Sequence, residues 1–316
     1  PVYGRVAMTL TELRYLVNLD KERHFSRAAA RSFVSQPTLS VALKKLEQEL
    51  GVTLFERVRG EAQPTPVGVQ IVAQARRVLA EARHVEDIAA AGRDECSSPL
   101  RIGAIYTVGP YLLPSLVPVL VQRAPDMRLV IEENYTAQLL DQLTANELDV
   151  AIIALPVDTH GLSVWPLYDE DFVILLSPRH RWIGRAEISA RSLAGEPLLL
   201  LGAGHCFRDQ VIAACPKCVD PDGSLRPRTG SSLETICYMV ASGLGITVLP
   251  RSSIENRPTE PHAPPWVPFA APAPHRRIAL VWRRTFPRTA AVQALRDGIL
   301  ACGLKGVQWL ASEGAK

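Results

Sequence analysis

The sequence lacks any apolar run of about 18 residues, so no segment is expected to cross a bilayer as a helix. No basic stretch followed by an apolar core opens the chain, so no signal peptide is expected. Residues 1–7 read as an added leader, with Met8 as the natural start. Cysteine is scarce: six, at positions 96, 206, 215, 218, 237 and 302, three of them clustered. That spacing excludes a secreted disulfide framework and points to the cytoplasm. One C-x-x-C exists, Cys215 to Cys218, and no second pair or paired histidine follows it. A structural zinc site is therefore not expected, nor any other metal or cofactor. Tandem repeats are absent.

Charge of one sign is also in short supply. The net charge is +3, and residues 1–66 hold all of that excess, with ten Lys or Arg against seven Asp or Glu. Local placement of cations matters more here than their total. The length and the 47% apolar content allow two or three domains with sizeable cores. The divisions expected are 8–66, 67–94 and 95–316.

Residues 9–65 read as short helices. Leu13, Leu16 and Val17 mark the first, Ser26 is the expected cap of the second, and Ser35 or Gln36 caps the third. Pro37 suits a first helical position, and Leu39, Leu43, Leu46 and Leu50 give the third helix a buried face. Gly51 ends it. The segments 26–32 and 36–49 then form a helix-turn-helix, and residues 54–66 form a β-wing. Gln36, Thr38, Ser40 and Lys44 are suited to base edges and phosphates, beside Ser35 and Pro37 at the helix start. Arg57 and Arg59 on the wing are suited to grip the DNA backbone or a minor groove. The plainer alternative is a helical bundle with solvated polar faces.

Along residues 67–91, Ile71, Ala75, Val78, Ala82, Val85 and Ala89 alternate spacings of four and three. That pattern is a short coiled-coil seam and predicts dimerisation. An amphipathic helix packed on its own chain is the alternative. From Leu100 onward strands alternate with helices, which predicts an α/β architecture built on a parallel sheet. The proline-rich stretch 258–274 is expected to be an irregular surface loop.

The segment Gly204-His205-Cys206-Phe207-Arg208-Asp209-Gln210 follows the apolar run 197–201 and opens a helix. Free N–H groups and the dipole of a first turn favour a thiolate, and His205 and Arg208 are expected to add positive charge. Cys215 lies nine residues on. One helix spanning both would separate their Cα atoms by roughly 13 Å, and a disulfide tolerates less than about 7 Å. Pairing would have to melt this segment.

The run FSRAAARSFVSQPTLSVALKKLEQELGVTLFER, followed by TPVG, resembles the LysR-type transcriptional regulators, and the resemblance extends over nearly the whole chain. It implies a winged helix-turn-helix, a linker helix that dimerises, and an effector domain of two α/β subdomains like periplasmic binding proteins. Within the family, IGAIYTVGPYLLP, LLLLGAGHCFRDQ and SSLETICYMVASGLGITVLP are similar to the hydrogen-peroxide-sensing branch. That similarity implies a peroxidatic Cys206 that becomes a sulfenic acid and then pairs with Cys215. Cys218, in the C-x-x-C, departs from the pattern and is either an alternative partner or a bystander. It implies a pocket of Thr107, Thr136, His205, Arg208, Asp209 and an arginine, with Arg283 favoured over Arg284. The implied partners are double-stranded promoter DNA, RNA polymerase, hydrogen peroxide as signal, and further copies in a homodimer or homotetramer, with no membrane. An enzyme is not expected. The competing readings are a regulator that binds a small organic effector between the subdomains, and a thiol peroxidase.

Overall fold

Thr9 sets the start of the first helix. Its hydroxyl accepts the Glu12 N–H at 3.2 Å, and the Glu12 carboxylate accepts the Thr9 N–H at 2.8 Å. This reciprocal pair satisfies two otherwise orphaned donors. The computed structural model describes residues 8–58, 60–92, 94–215, 228–257 and 263–310. They divide into two compact units, with the break after Ala89.

The first unit contains α1 (Leu10–Glu22), α2 (Phe25–Arg31), α3 (Gln36–Leu50), the antiparallel strands β1 (Phe55–Val58) and β2 (Glu61–Pro64), and most of α4 (Pro66–Ala91). Ser35 caps α3, its Oγ accepting the Thr38 N–H, and Gly51 closes the helix at φ 68°. Ser26 does not cap α2. His24 holds that position and makes no side-chain capping bond. Leu39, Leu43 and Leu46 pack with Leu13, Leu16 and Leu19 in one core. Gly68 in the first turn of α4 faces the Leu54 carbonyl so closely that a Cβ would lie 2.1 Å from its oxygen. Only glycine permits that approach.

The expected seam on α4 divides in two. Val72, Ala75 and Leu79 are buried in the first unit's own core, with Ile71 and Val78 packed against it. This half follows the self-packing alternative. Further on, Val85 is 67% exposed and Ile88 53% exposed.

The second unit opens with β3 (Leu100–Ile105), α5 (Gly109–Arg123), β4 (Leu129–Asn134), α6 (Thr136–Thr144) and β5 (Val150–Leu155). β3 pairs in parallel with β4 and β5. The long strand β6 (Leu162–Leu175) then runs on, followed by β7 (Leu198–Leu201), α7 (Cys206–Ala214), β8 (Arg228–Gly230), α8 (Leu233–Ala241) and β9 (Ile246–Pro250). The short helix α9 (Ser252–Glu255), β10 (Trp266–Pro268), β11 (His275–Arg283), α10 (Thr289–Ala301) and β12 (Gln308–Trp309) complete it.

The sheet is mixed rather than parallel. β7 pairs in parallel with β8 and β9, but β11 runs antiparallel to both β5 and β6, and β9 antiparallel to β6. The reason is β6, whose first ten residues pair with β11 and whose last four pair with β9. It therefore belongs to both halves of the sheet. One core gathers Leu100, Ile102, Leu116, Ile152, Leu280 and Leu295; the other gathers Phe172, Leu199, Phe207, Val211, Ile236 and Leu249. The proline-rich stretch is not wholly irregular, because β10 adds to β6 through Trp266–Pro268.

Burial alone would raise the Glu12 carboxyl, but the Thr9 hydrogen bonds and the Lys45 ammonium outweigh it and hold the group below its usual range. The folded value lies below the unfolded one. Its contribution is thus present above about pH 4.3, the ordinary glutamate value, and fades as pH falls through the folded value. Glu12→Ala should lower stability at pH 7 by about 1 kcal/mol. Thermal melts of parent and variant should converge on acidification, and a gap undiminished at pH ~3 would contradict the assignment.

Candidate functional site

Two sites arise, one in each unit. On α3, the exposed positions are Gln36, Pro37, Thr38, Val41, Lys44, Lys45 and Gln48. Ser35 and Thr38 share a hydroxyl contact of 2.8 Å at the helix start. Ser40 departs from the expectation: its Oγ is buried and makes no hydrogen bond among the described residues. Helical geometry puts position 40 toward the core side, and Val41 takes the outward place, 68% exposed. Lys45 is drawn to Glu12 at 3.3 Å and Glu49 at 3.4 Å, which leaves Lys44 as the helix's cation without an ion-pair partner among the described residues. Arg57 on the wing lies 5.1 Å from the Phe25 ring centroid. Arg59 falls outside the described residues.

In the second unit, β7 feeds a turn that places Cys206 at the first position of α7. Gly204 makes that turn at φ +95°, a conformation that side chains rarely adopt, and a Cβ there would meet the Tyr135 ring at 3.4 Å. His205, 6% exposed, lies under Tyr135 and Tyr106 with ring centroids 4.7 and 5.9 Å away. Burial pushes its imidazole below the ordinary value, against the opposing hydrogen bond to the Ser231 backbone. The ring is therefore neutral at neutral pH. Burial thus disfavours the positive charge expected of His205, whose ring packs on the two tyrosines.

Thr107 and Thr136 begin the segments that face this turn. Thr107 follows Tyr106, and Thr136 follows Tyr135 as the first residue of α6. The Thr136 Oγ1 is buried and has no hydrogen-bond partner among the described residues. A buried hydroxyl left without a partner costs about 1–3 kcal/mol, so it marks a place for a small polar ligand or water.

The arginine that meets Thr107 is Arg276, not Arg283. Its Nη1 donates to Thr107 Oγ1 at 2.7 Å and its Nη2 to the Thr107 carbonyl at 2.9 Å. Its Nε donates to Glu170 Oε1 at 2.7 Å, and Ser252 Oγ donates to Glu170 Oε2 at 2.5 Å. The same guanidinium lies 5.1 Å from the centroid of Phe207, the residue after Cys206. Arg283 instead donates to the Leu143 and Leu148 carbonyls at 2.7 and 2.6 Å, and Arg284 to the Leu162 carbonyl at 3.2 Å. Arg283 thus ties the end of α6 and the turn after it, and Arg284 the start of β6, to the far end of β11. Arg208 donates to the Leu201 carbonyl at 2.9 Å, tying α7 back to β7, and Asp209 is exposed in the first turn.

Cys215 is the C-cap of α7 and 4% exposed in the second core, whereas Cys206 packs against the first. Cys96, Cys206, Cys215, Cys237 and Cys302 all carry thiols. Cys218 lies outside the described residues. No cluster suited to a metal occurs among the described residues, and none of their helices is long and apolar enough to cross a membrane.

Period-2 alternation could have found Arg276. It shares the inward side of β11 with Ile278, while His275 and Arg277 point out. Glu170, Ser252, Tyr106 and Tyr135 carry no such signal.

A helical head with a wing, followed by an α/β unit with two cores on one mixed sheet, is the architecture of a bacterial regulator. Residues 10–69 match the bacterial regulatory helix-turn-helix protein of the lysR family, and residues 93–301 match the LysR substrate binding domain. The chain belongs to the LysR family of DNA-binding transcription regulators. It is 41% identical to the hydrogen peroxide-inducible genes activator of Pectobacterium carotovorum subsp. carotovorum over 92% of this chain and 96% of that protein. A full-length cysteine-to-aspartate variant of OxyR from Pseudomonas aeruginosa is similar in structure, with TM-score 0.73 and 49% identity, covering 95% of this chain and 98% of that one. A cysteine mutant of Corynebacterium glutamicum OxyR bound to hydrogen peroxide follows, with TM-score 0.63 and 34% identity over 93% of this chain and 92% of that one.

Glu170 and Arg276 each have no exposed side-chain area. Glu170→Ala would leave a buried guanidinium without its counter-charge, which costs about 3–5 kcal/mol. Chemical denaturation should show that loss, while Glu170→Ala at parent stability would mean the pair is not structural.

Proposed function

We propose that the chain is a hydrogen-peroxide-responsive transcription regulator in which Cys206 is the oxidised group. One observation carries this reading. Cys206 opens α7 directly after His205, whose ring packs on Tyr106 and Tyr135; next to these tyrosines are Thr107, which Arg276 engages, and Thr136, whose buried hydroxyl has no partner among the described residues. The peroxide-inducible activators among the relatives support it.

The chemistry follows from the donor set. The attacking form is the Cys206 thiolate, since a thiolate and not a thiol is the nucleophile. Its sulfur attacks one peroxide oxygen, the O–O bond breaks, and the leaving hydroxide takes a proton to become water. Thr107 accepts from Arg276 and so has its own hydroxyl proton to give, and Thr136 has both a proton and lone pairs. Arg276 offsets the charge that develops on the leaving oxygen. A thiolate at Cys215 then attacks the sulfenic sulfur, an S–S bond forms, and a second water leaves. Two thiols lose two electrons, and one peroxide becomes two waters. Cys206 and Cys215 sit at opposite ends of α7 on different cores, so this second step requires α7 to open.

The rearranged effector unit then changes how the protein engages promoter DNA and RNA polymerase. The exposed Val85 and Ile88 on α4 serve a seam between copies in a homodimer or homotetramer, and the protein works in the cytoplasm. Ser35, Gln36, Pro37, Thr38, Lys44, Arg57 and Arg59 contact DNA. The protein is a sensor rather than a peroxidase, since a DNA-binding head serves no purpose in turnover.

Cys206→Ser should abolish the peroxide-dependent change in promoter footprint while leaving DNA binding intact; a persisting change would sink the assignment. Arg276→Lys should slow Cys206 oxidation roughly a hundredfold, the size of effect expected when a group that stabilises developing charge is lost. Arg283→Lys should leave the stopped-flow rate near that of the parent. The reverse ranking would return the role to Arg283. Lys44→Ala should weaken binding to all sequences alike and reduce the salt slope by about 1.

A further inference from the structure

The outward face of α3 carries an apolar side chain that the first unit's own packing does not use. Val41 is 68% exposed, while Leu39, Leu43 and Leu46 supply the helix's buried face. Valine is a weaker helix former than alanine or lysine, so an exposed helical position gains nothing from it by propensity. Its neighbours at helical spacing are Pro37 and Thr38 on one side and Lys44, Lys45 and Gln48 on the other, all exposed.

The charges on α3 are sorted by face. Glu47 turns away to accept the Leu54 N–H at 2.7 Å and the Phe55 N–H at 3.3 Å. Glu49 pairs with Lys45. The exposed positions therefore hold no carboxylate, and Lys44 stands one turn from Val41. A face with a cation outside those ion pairs, a hydroxyl and no acid fits a polyanion, and the apolar residue at its centre needs an apolar group on that polyanion. In the major groove of DNA that group is the C5-methyl of thymine.

We propose that Val41 is a specificity-determining residue, packing its isopropyl group on a thymine methyl in each half-site. The inference rests on α3 being the DNA-reading helix, and the experiment separates the two claims. The full-length protein selects a duplex from a random pool. Each thymine of that site is then replaced singly by uracil, which removes only the methyl.

For the parent, uracil at one position per half-site should weaken binding about fourfold, the equivalent of one buried methyl. Val41→Ala should bind the thymine duplex more weakly and lose most of the uracil effect at that same position. Lys44→Ala should lower affinity for thymine and uracil duplexes equally. Circular dichroism melts verify that the variants fold, and Val41→Thr, isosteric with valine and keeping one methyl, should retain part of the discrimination.

Tight parent binding with no uracil-sensitive position, or with sensitivity unchanged in Val41→Ala, would overturn the proposal and leave the helix assignment standing. A change of oligomeric state in Val41→Ala would overturn it in favour of a contact between copies. Failure of the parent to retain any duplex would remove both claims.

Discussion

The second unit depends on one buried ion pair. Glu170 stands on the strand shared by both halves of the sheet, and Arg276 on the strand beside it; neither side chain reaches solvent. Two unpaired charges there would be prohibitive, so each fixes the other. The pair is tied to its surroundings on both sides. Ser252, at the start of α9 after β9, donates to Glu170, and Arg276 grips the Thr107 side chain and carbonyl just past β3. The guanidinium also lies over Phe207. The segment bearing Cys206 thus rests on a group whose position is set by elements from both cores. A buried pair of this kind adds little net stability compared with an apolar replacement. Its value lies in geometry: five donors in a rigid plane leave few other ways to assemble these segments.

Much of this architecture is legible in sequence because periodicity survives. The helix-turn-helix shows through Leu39, Leu43 and Leu46, through Ser35 before Pro37, and through Gly51 after Leu50. Strand–helix alternation from Leu100 onward is equally clear, and so is the placing of Cys206 at a helix start. The losses occur where charge or proline interrupts an apolar run. β11 begins at His275, three residues before its apolar stretch, because His275, Arg276 and Arg277 imitate a loop. Arg277 pairs outward with Asp169 at 2.8 Å, and Arg276 turns inward. A strand drawn only through the apolar residues from Ile278 onward would miss that alternation, and with it Arg276. The first ten residues of β6 are obscured in the same way by Pro166 and the Asp169–Asp171 acids. Ser40 shows the limit of residue type as a guide, since a polar residue in a helix is not thereby on its polar face.

Under the proposed pairing of Cys206 with Cys215, the structure also bears on how readily the switch reverses. Opening α7 from its N-cap breaks the His205 contacts with Tyr106 and Tyr135, which contribute about 0.5–1.5 kcal/mol per aromatic pair. It also breaks the His205 hydrogen bond to the Ser231 backbone, about 1 kcal/mol. The two ring contacts and the hydrogen bond together favour the reduced state by roughly 2–4 kcal/mol. Because about 30 mV corresponds to 1.4 kcal/mol for a two-electron couple, they raise the reduction potential by roughly 40–90 mV over an unconstrained pair. Such a disulfide forms because peroxide is a strong oxidant, and is easily reduced once peroxide is gone. The aromatic cluster that packs against the thiol loop is in this way also what returns it, and a sensor that has to reset requires both.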